Sequence, residues 1–293
     1  MQQTTVPTTS MSVHSKFTLR RSLDQMPRFI LLSLLCLATI FPIYWMVVTA
    51  VRPVDYSLQY PPALFPQEIG FAPFEKLFEN LPIIRWLLNS AFVSIITTVL
   101  CLGLTVIGAF TMSILRWRGQ TIFGFMLLMT QMLPEVLIVI PLFTTYQRLG
   151  LKESIPALAL IDVAFVLPLG IWILKNLFDT IPKDIYDAAL VDGCSPLGVL
   201  WRVLLPLVAP GLVAVGVVAF FHAWNEYLFS ASLLTNRNLW TASVGLASLR
   251  SMLDTPIDRV LAAGLLFSIF PVIFYLSIQR YVVAGLSAGA VKG

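Results

Sequence analysis

Long apolar stretches alternate with short polar segments along the whole chain. Six of them carry few or no charges and lie approximately at residues 29–50, 87–112, 123–143, 155–177, 207–229 and 260–283. A helix needs about 20 such residues to cross a bilayer core of about 30 Å. Because unpaired backbone groups are costly in lipid, each stretch is predicted to be a helix rather than a strand. The pattern therefore predicts an all-α integral membrane protein with six transmembrane helices.

Composition agrees with this pattern, and the charged residues add an orientation. Hydrophobic residues make up 58% of the chain and charged residues 12%, with a mean hydropathy of +0.85. Lys and Arg dominate segment 1–28 and the link between the second and third spans, whereas segment 52–84 is mostly acidic. By the positive-inside rule both termini are predicted to be cytoplasmic. The net charge of +4 is spread over membrane edges, so no nucleic-acid binding is predicted.

The spans divide the chain into three parts. A cytoplasmic N-terminal tail is predicted at 1–28, a transmembrane domain at 29–283 and a cytoplasmic C-terminal tail at 284–293. The first apolar run exceeds the about 7–15 residues of a secretory-signal core, so it is predicted to be an uncleaved anchor. The three cysteines lack the spacing typical of a metal site or a disulfide.

A polar segment at about 179–205 interrupts the apolar pattern between the fourth and fifth spans, on the predicted cytoplasmic side. Thr180 is predicted to cap a first short helix, with Pro182 in its opening turn. Gly193 is predicted to end that helix in the left-handed conformation. Asp192 lies at the unfavourable negative end of the helix dipole, so a local or an external contact is expected to compensate it. The local possibility is an Asx-turn, in which its carboxylate accepts from the N–H of Cys194 or Ser195.

A second short helix is predicted directly afterwards. Ser195 followed by Pro196 is typical of a helix start, and the helix is expected to run to Leu205, before Pro206. Small side chains keep one face of the pair thin, and apolar side chains are expected to contact a partner; these are Ala188 and Ala189, and Tyr186, Leu190 and Val199. The segment is predicted to be a knob gripped by another protein, with a solvated loop as the alternative.

The residues of this segment resemble a known signature. Asp187-Ala188-Ala189-x-x-Asp192-Gly193, followed by Leu205-Pro206, is similar to the Glu-Ala-Ala…Gly…Leu-Pro signature of permease subunits in bacterial ABC importers. The chain departs from the signature at Asp187, where Glu is usual, and at Cys194, where Ala is common. The resemblance implies a coupling helix docked on an ATPase, formed by Asp187, Ala188, Ala189, Asp192, Gly193, Pro196 and Pro206.

Other segments resemble the carbohydrate-importing branch of that family, among them Ala223-Trp224-Asn225-Glu226-Tyr227 and the end of the chain. The resemblance implies an inner-membrane permease that works with a second homologous permease, an ATPase dimer and an extracytoplasmic sugar-binding protein. It also implies that the tail reaches the ATPase interface through Gly289, Val291, Lys292 and Gly293. The sequence contains no GxxxxGK[ST] motif, so no ATP site and no enzymatic activity are predicted in this chain. ATP and Mg are expected on the partner ATPase alone.

Ionisable residues inside apolar spans are costly and typically mark a transport path. The candidates for the substrate path are Glu135, Asp162, His222, Asn225 and Glu226, of which the last three are predicted to share a helix face at i, i+3 and i+4. The alternative is that several of them lie near the extracytoplasmic surface. Segments 52–84 and 234–259 are expected either to receive the binding protein or to be spacers.

Two other classes of function compete with the importer. In an ion-coupled secondary transporter, Glu135 and Asp162 would be the proton or ion sites, but the inverted repeat common in such transporters is not evident in the sequence. In an intramembrane metalloenzyme, His222 and Glu226 would be metal ligands, but the chain lacks the further ligand set that a zinc enzyme needs. The sequence therefore favours the sugar importer.

Overall fold

The computed structural model describes residues 13–52, 64–66, 68–115, 117–251 and 256–290, with side chains described over 26–52, 64–66, 68–115, 117–250 and 256–281. Within these ranges every regular element is a helix. Four helices are long: α1 at Val13–Ala50, α3 at Ile83–Ser113, α6 at Ile155–Phe178 and α13 at Ile257–Ala290. Between them lie α2 (Ala72–Asn80), α4 (Gln120–Thr130), α5 (Glu135–Arg148), α7 (Lys183–Val191), α8 (Pro196–Val199), α9 (Leu205–Leu207), α10 (Ala209–Asn225), α11 (Leu228–Leu233) and α12 (Ala242–Ser251).

Six candidate membrane spans are found when each bent pair of helices is counted once. Four are single helices, within α1, α3, α6 and α13. The third predicted span is not one helix, because α4 and α5 meet at an angle of 94°. Pro134 causes this break, since it is extended (φ −63°, ψ 127°) and proline disfavours helical backbone at the residue before it. The fifth predicted span, 207–229, falls in the other bent pair, in which Pro196–Leu207 and Ala209–Asn225 meet at 83°, and its helix α10 already ends at Asn225.

The centre of the bundle is a tight contact among α3, α6 and α10. Small polar residues of α3 are fully buried there, among them Ser94 and Thr105. A Cβ added at Gly170 of α6 would come within 2.6 Å of the Thr105 hydroxyl, so glycine is needed for this close approach. Small residues at helix contacts are typical of membrane proteins. This packing links the two ends of the bundle, called below the α7 end and the α12 end after the helices that lie there.

The helices of the first and last spans continue beyond the predicted span boundaries. Helix α1 begins at Val13, within the predicted tail at 1–28, although its apolar part, Met26–Ala50, starts close to the predicted boundary. The tail at 284–293 is likewise helical as far as Ala290, so the backbone of Gly289 lies in α13. Val291, Lys292 and Gly293 lie outside the described residues, as does Arg116 in the link between the second and third spans.

At the α12 end, Glu153 ties the α5–α6 turn to the segment after α11. Its backbone has a φ of 59°, which is unfavourable for a residue other than glycine. Its carboxylate accepts hydrogen bonds from the N–H groups of Thr235 (2.9 Å) and Asn236 (3.2 Å) and from the Thr235 hydroxyl. Partial burial raises the pKa of the Glu153 carboxyl, but these hydrogen bonds outweigh burial, so the pKa lies below its ordinary value.

This tie predicts a pH-dependent stability. Because the folded-state pKa is depressed, the ionised carboxylate stabilises the fold fully above the unfolded-state pKa of about 4.3, and this contribution is lost as pH falls through the folded-state pKa. Glu153→Gln is therefore expected to lower the melting temperature of the purified protein at pH 7 and to have little effect at a pH below both pKa values. A melting-temperature difference of equal size at both ends of the titration would contradict the prediction.

Candidate functional site

The polar segment at the α7 end folds as a helix, a tight turn and a second helix. Helix α7 ends in two characteristic bonds, from the N–H of Cys194 to the oxygen of Ala189 (3.0 Å) and from the N–H of Gly193 to the oxygen of Leu190 (3.0 Å). This is the Schellman motif, which needs a left-handed residue after the helix. Gly193 supplies it with a φ of 87°, as predicted.

The second helix starts as predicted and ends later. The Ser195 hydroxyl accepts a hydrogen bond from the N–H of Gly198 at 3.1 Å, and Pro196 occupies the first turn. After α8 the chain continues through a π-helical turn at Leu200–Leu204 into α9. The predicted end at Leu205 is wrong, because Pro206 is accommodated in the first turn of α9, where no N–H is required.

Two local predictions in the first helix are also wrong. The Thr180 hydroxyl donates to the backbone oxygen of Leu177 (2.7 Å) and does not cap α7, whose N-cap position is held by Pro182 without a side-chain bond. The local possibility at Asp192, an Asx-turn, is absent from the described hydrogen bonds, and the N–H of Cys194 is used in the Schellman motif; an external contact stays a prediction. Asp192 instead lies exposed at the helix end.

The inner face of this helix pair is part of the hydrophobic core. Ala189, Val199 and Leu204 are buried against Phe110 of α3 and Phe178 of α6. Val199 was expected to contact a partner, and that expectation is wrong, because its side chain is 0% exposed. The pair is therefore fixed to the ends of two bundle helices.

The outer face is exposed and apolar. Val191 is 88% exposed, and Leu197 and Trp201 are each 62% exposed. Asp187 and Ala188 are exposed on the same helix pair. These three large apolar residues were not among the predicted contact residues, although the i, i+4 spacing of Leu197 and Trp201 places them on one helix face.

A polar cluster joins α3 and α6 beside this pair. The Ser113 hydroxyl donates to Asp179 Oδ1 at 2.5 Å, and Lys175 Nζ lies 2.5 Å from Asp179 Oδ2. A cleft next to the cluster is lined by Lys183 and Asp187 of α7. The bond between Ser113 and Asp179 holds the ends of α3 and α6 together at the base of the helix pair.

Among the predicted path residues, Asp162 and His222 lie close together. His222 Nε2 is 4.0 Å from Asp162 Oδ1, and the Asp162 side chain is completely buried in α6. Glu135 begins α5 at the break in the third span, is exposed, and interacts electrostatically with both residues. We refer to Glu135, Asp162 and His222 as one cluster; Glu226 also acts electrostatically on Asp162.

The other two candidates lie at the end of α10 and do not share a face as predicted. Asn225 is the last helical residue, and Glu226 is already extended (φ −60°, ψ 127°). The Asn225 side chain is exposed and donates to the oxygen of Phe221 (2.9 Å). The Glu226 carboxylate is buried and accepts from the N–H groups of Phe229 (2.6 Å) and Ser230 (2.9 Å) and from the Ser230 hydroxyl (2.7 Å). Glu226 therefore caps the start of α11.

Neither competing class of function gains support from this geometry. Within the described residues, no three His, Cys, Asp or Glu side chains are placed to hold a metal ion, so the metalloenzyme hypothesis lacks a site. Ionisable residues within membrane spans typically mark a transport path, so the grouping of Asp162 and His222 is compatible with an importer and does not by itself separate it from an ion-coupled transporter.

Comparison with known proteins separates those two. Residues 104–288 match the family model for the binding-protein-dependent transport system inner membrane component. The chain is 33% identical to the inner membrane ABC transporter permease protein YcjP of Escherichia coli, over 94% of this chain and 99% of that protein. It is 32% identical to the trehalose transport system permease protein SugB of Mycobacterium tuberculosis, over 87% of this chain and 93% of that protein.

The fold also matches a solved structure. A chain of a bacterial ABC transporter involved in the import of the acidic polysaccharide alginate aligns with a TM-score of 0.75 and 23% sequence identity. The alignment covers 94% of this chain and 99% of that one. The arrangement of broken and continuous spans is therefore a known membrane fold.

Proposed function

This chain belongs to the family of binding-protein-dependent transport system inner membrane components, and we propose that it is the permease half of an ATP-driven importer of a disaccharide or related glycoside. It acts in transport, in the inner membrane, where it crosses the bilayer several times. In the proposed complex it forms the path with a second homologous permease and receives sugar from an extracytoplasmic binding protein. Relatives named for trehalose, maltose and diacetylchitobiose transport support the sugar class.

One observation carries the proposed coupling to ATP. The helix pair around Gly193 buries one face on the ends of α3 and α6 and presents the other, with Val191, Leu197 and Trp201, outside the bundle. A partner that moves this pair therefore moves two bundle helices, because the inner face cannot slide without opening the core. We assign the partner as the ATPase dimer, which holds ATP and Mg, and place the α7 end and both termini in the cytoplasm. Asp187, Ala188, Asp192 and Gly193 are then available for the contact, with Pro196 and Pro206 shaping the second helix.

Charging the outer face tests this proposal. Leu197→Glu is expected to leave the melting temperature of the purified chain within a few degrees of the unmodified value, because Leu197 is 62% exposed. Co-purification with its candidate ATPase subunit is expected to fall at least about tenfold, because a charge would be buried in an apolar interface. The matched control is Ile69→Glu, a similarly exposed apolar residue (69%) at the α12 end, which is expected to keep the ATPase. Equal ATPase recovery with both variants would contradict the proposed interface.

A further inference from the structure

We infer that the transport path selects saccharides without negative charge, uncharged or amino-bearing, and that the cluster of Glu135, Asp162 and His222 sets this preference. The inference rests on the proposed function, because it assumes that a saccharide passes this cluster. It goes further by naming the charge of the substrate. The observations that carry it are a buried carboxyl without a partner, an exposed carboxylate beside it, and the lack of a neighbouring cation.

Asp162 is the first of these observations. Its side chain is 0% exposed, and within the described residues neither carboxyl oxygen has a hydrogen-bond partner. Its nearest basic neighbour is His222 Nε2, at 4.0 Å, which is too far for a hydrogen bond. A buried polar group without a partner is rare in folded proteins and is expected to have a function that offsets its cost. One of these oxygens, Oδ1, faces His222, whose side chain is 28% exposed.

Glu135 is the accessible part of the cluster. It is exposed at the first turn of α5, directly after the 94° break in the third span. The break itself is held in place, because Gln131 Nε2 donates to the oxygen of Phe165 at 2.9 Å. The positive end of the α5 dipole would favour a bound anion, but the Glu135 carboxylate already occupies it. An anionic solute therefore finds no unoccupied helix N-terminus at this place.

Within the described residues, no Lys or Arg forms an ion pair with Asp162 or Glu135. The groups that act electrostatically on Asp162 include the carboxyls of Glu226 and Glu135, and Glu135 also acts on His222. The Lys and Arg residues nearest in sequence to Glu135 and Asp162 are Arg148, Lys152 and Lys175. Arg148 and Lys175 lie in the last turns of α5 and α6, and Lys152 lies between these helices, over the Phe143 ring. Recognition of a carboxylate or sulfonate typically uses Arg or Lys, often with two parallel hydrogen bonds. The described residues provide neither at this place.

The cluster suits hydroxyl and ammonium groups for the same reason. A sugar hydroxyl donates to a carboxylate oxygen, and an ammonium group adds an attraction of opposite charges. Protonation of Asp162 would not change the sign of the preference, because a neutral carboxyl still provides no positive charge. The alginate importer that shares this fold carries an acidic polysaccharide, so fold alone does not fix substrate charge.

The test uses the complete transporter in proteoliposomes with its own binding protein. ATPase stimulation and uptake are measured with three sets of disaccharides of equal size: neutral glucose disaccharides, glucosamine disaccharides with free amino groups, and hexuronic acid disaccharides. Stimulation by a neutral or amino disaccharide, with none by a hexuronic acid disaccharide, is the expected result. Stimulation by the hexuronic acid set alone would overturn the inference and leave the importer intact. Stimulation by no saccharide would instead overturn the proposed function, and the inference with it.

Variants of Glu135 connect the preference to the cluster. Glu135→Gln is expected to reduce the ratio of apparent affinities for amino and neutral disaccharides about tenfold, since one charge-assisted hydrogen bond is lost. Glu135→Asp keeps the charge and is expected to restore most of the ratio. A role in folding alone would lower uptake of both classes equally in both variants, and that result would overturn the assignment of Glu135.

Discussion

Gly193→Val is expected to abolish ATP-driven uptake almost completely while leaving the transmembrane bundle folded. Gly193 has a φ of 87°, and an added Cβ would meet nothing within 4 Å, so the substitution creates no clash. Its cost is the left-handed backbone, roughly 1–2 kcal/mol for an ordinary residue and more for a β-branched one. The turn is expected to relax by giving up the two Schellman bonds, which moves Val191 relative to Leu197. Because these residues form one proposed contact surface, ATPase co-purification should weaken first and uptake should fall at least about tenfold.

The chain contains a matched control for this substitution. Gly150 ends α5 with the same motif, through bonds from Leu151 N–H to the Tyr146 oxygen (2.9 Å) and from Gly150 N–H to the Gln147 oxygen (3.2 Å). Its φ is 69°, and a Cβ there would also meet nothing within 4 Å. Gly150→Val therefore imposes the same kind of strain at the α12 end. It is expected to lower the melting temperature by a similar amount but to keep the ATPase bound.

Two results would contradict the coupling role of Gly193. One is full ATPase recovery and uptake with Gly193→Val, which would mean that the turn is a passive loop. The other is equal loss of both with Gly150→Val, which would mean that any strained turn disturbs the complex. Expression and the elution profile of each purified variant show whether the chain has folded.

The six predicted spans agree with the structure when each bent pair of helices is counted as one span, because burial in lipid is a property of whole segments. Hydropathy did not predict the break at Pro134, since a proline inside an apolar run is compatible with a kinked helix as well as with two helices. The end of α10 was missed for a related reason. The apolar pattern continues through Phe229, but the helix ends before Glu226, whose backbone is extended. The Glu226 carboxylate there accepts a hydrogen bond from a backbone N–H that a continued helix would pair with its own carbonyl oxygen.

The α7 end shows the same division between local and tertiary information. The turn at Gly193 and the cap at Ser195 were predictable because both depend on residues a few positions apart. The burial of Val199 was not, because it depends on where α3 and α6 end relative to the helix pair. The type of an apolar residue does not by itself decide whether its side chain lies on the surface or in the core. The proposed contact surface therefore follows from the exposure of Val191, Leu197 and Trp201 in the folded chain.

Glu226→Ala is expected to destabilise the protein more than Gly193→Val, Gly150→Val or Glu153→Gln. The carboxylate accepts three buried hydrogen bonds, from the N–H groups of Phe229 and Ser230 and from the Ser230 hydroxyl. Removing it leaves these donors without a partner at about 1–3 kcal/mol each, so a loss of several kcal/mol is expected even if the terms are not additive. We expect a lower yield of monodisperse protein and a lower melting temperature. Both are measured before any transport assay.

Asn225→Ala separates this structural role from a role in the transport path. Asn225 is adjacent in sequence but exposed, and its one described side-chain bond is to Phe221 of its own helix. Its loss is expected to change the melting temperature little, and any effect should appear in the apparent affinity for the saccharide. A stable Glu226→Ala protein with altered substrate preference would show that the carboxylate belongs to the path after all. An unstable Glu226→Ala protein with unchanged substrate preference would mean that this ionisable residue serves the fold alone. The reason is that the helix of the predicted span ends at Asn225, one residue before it.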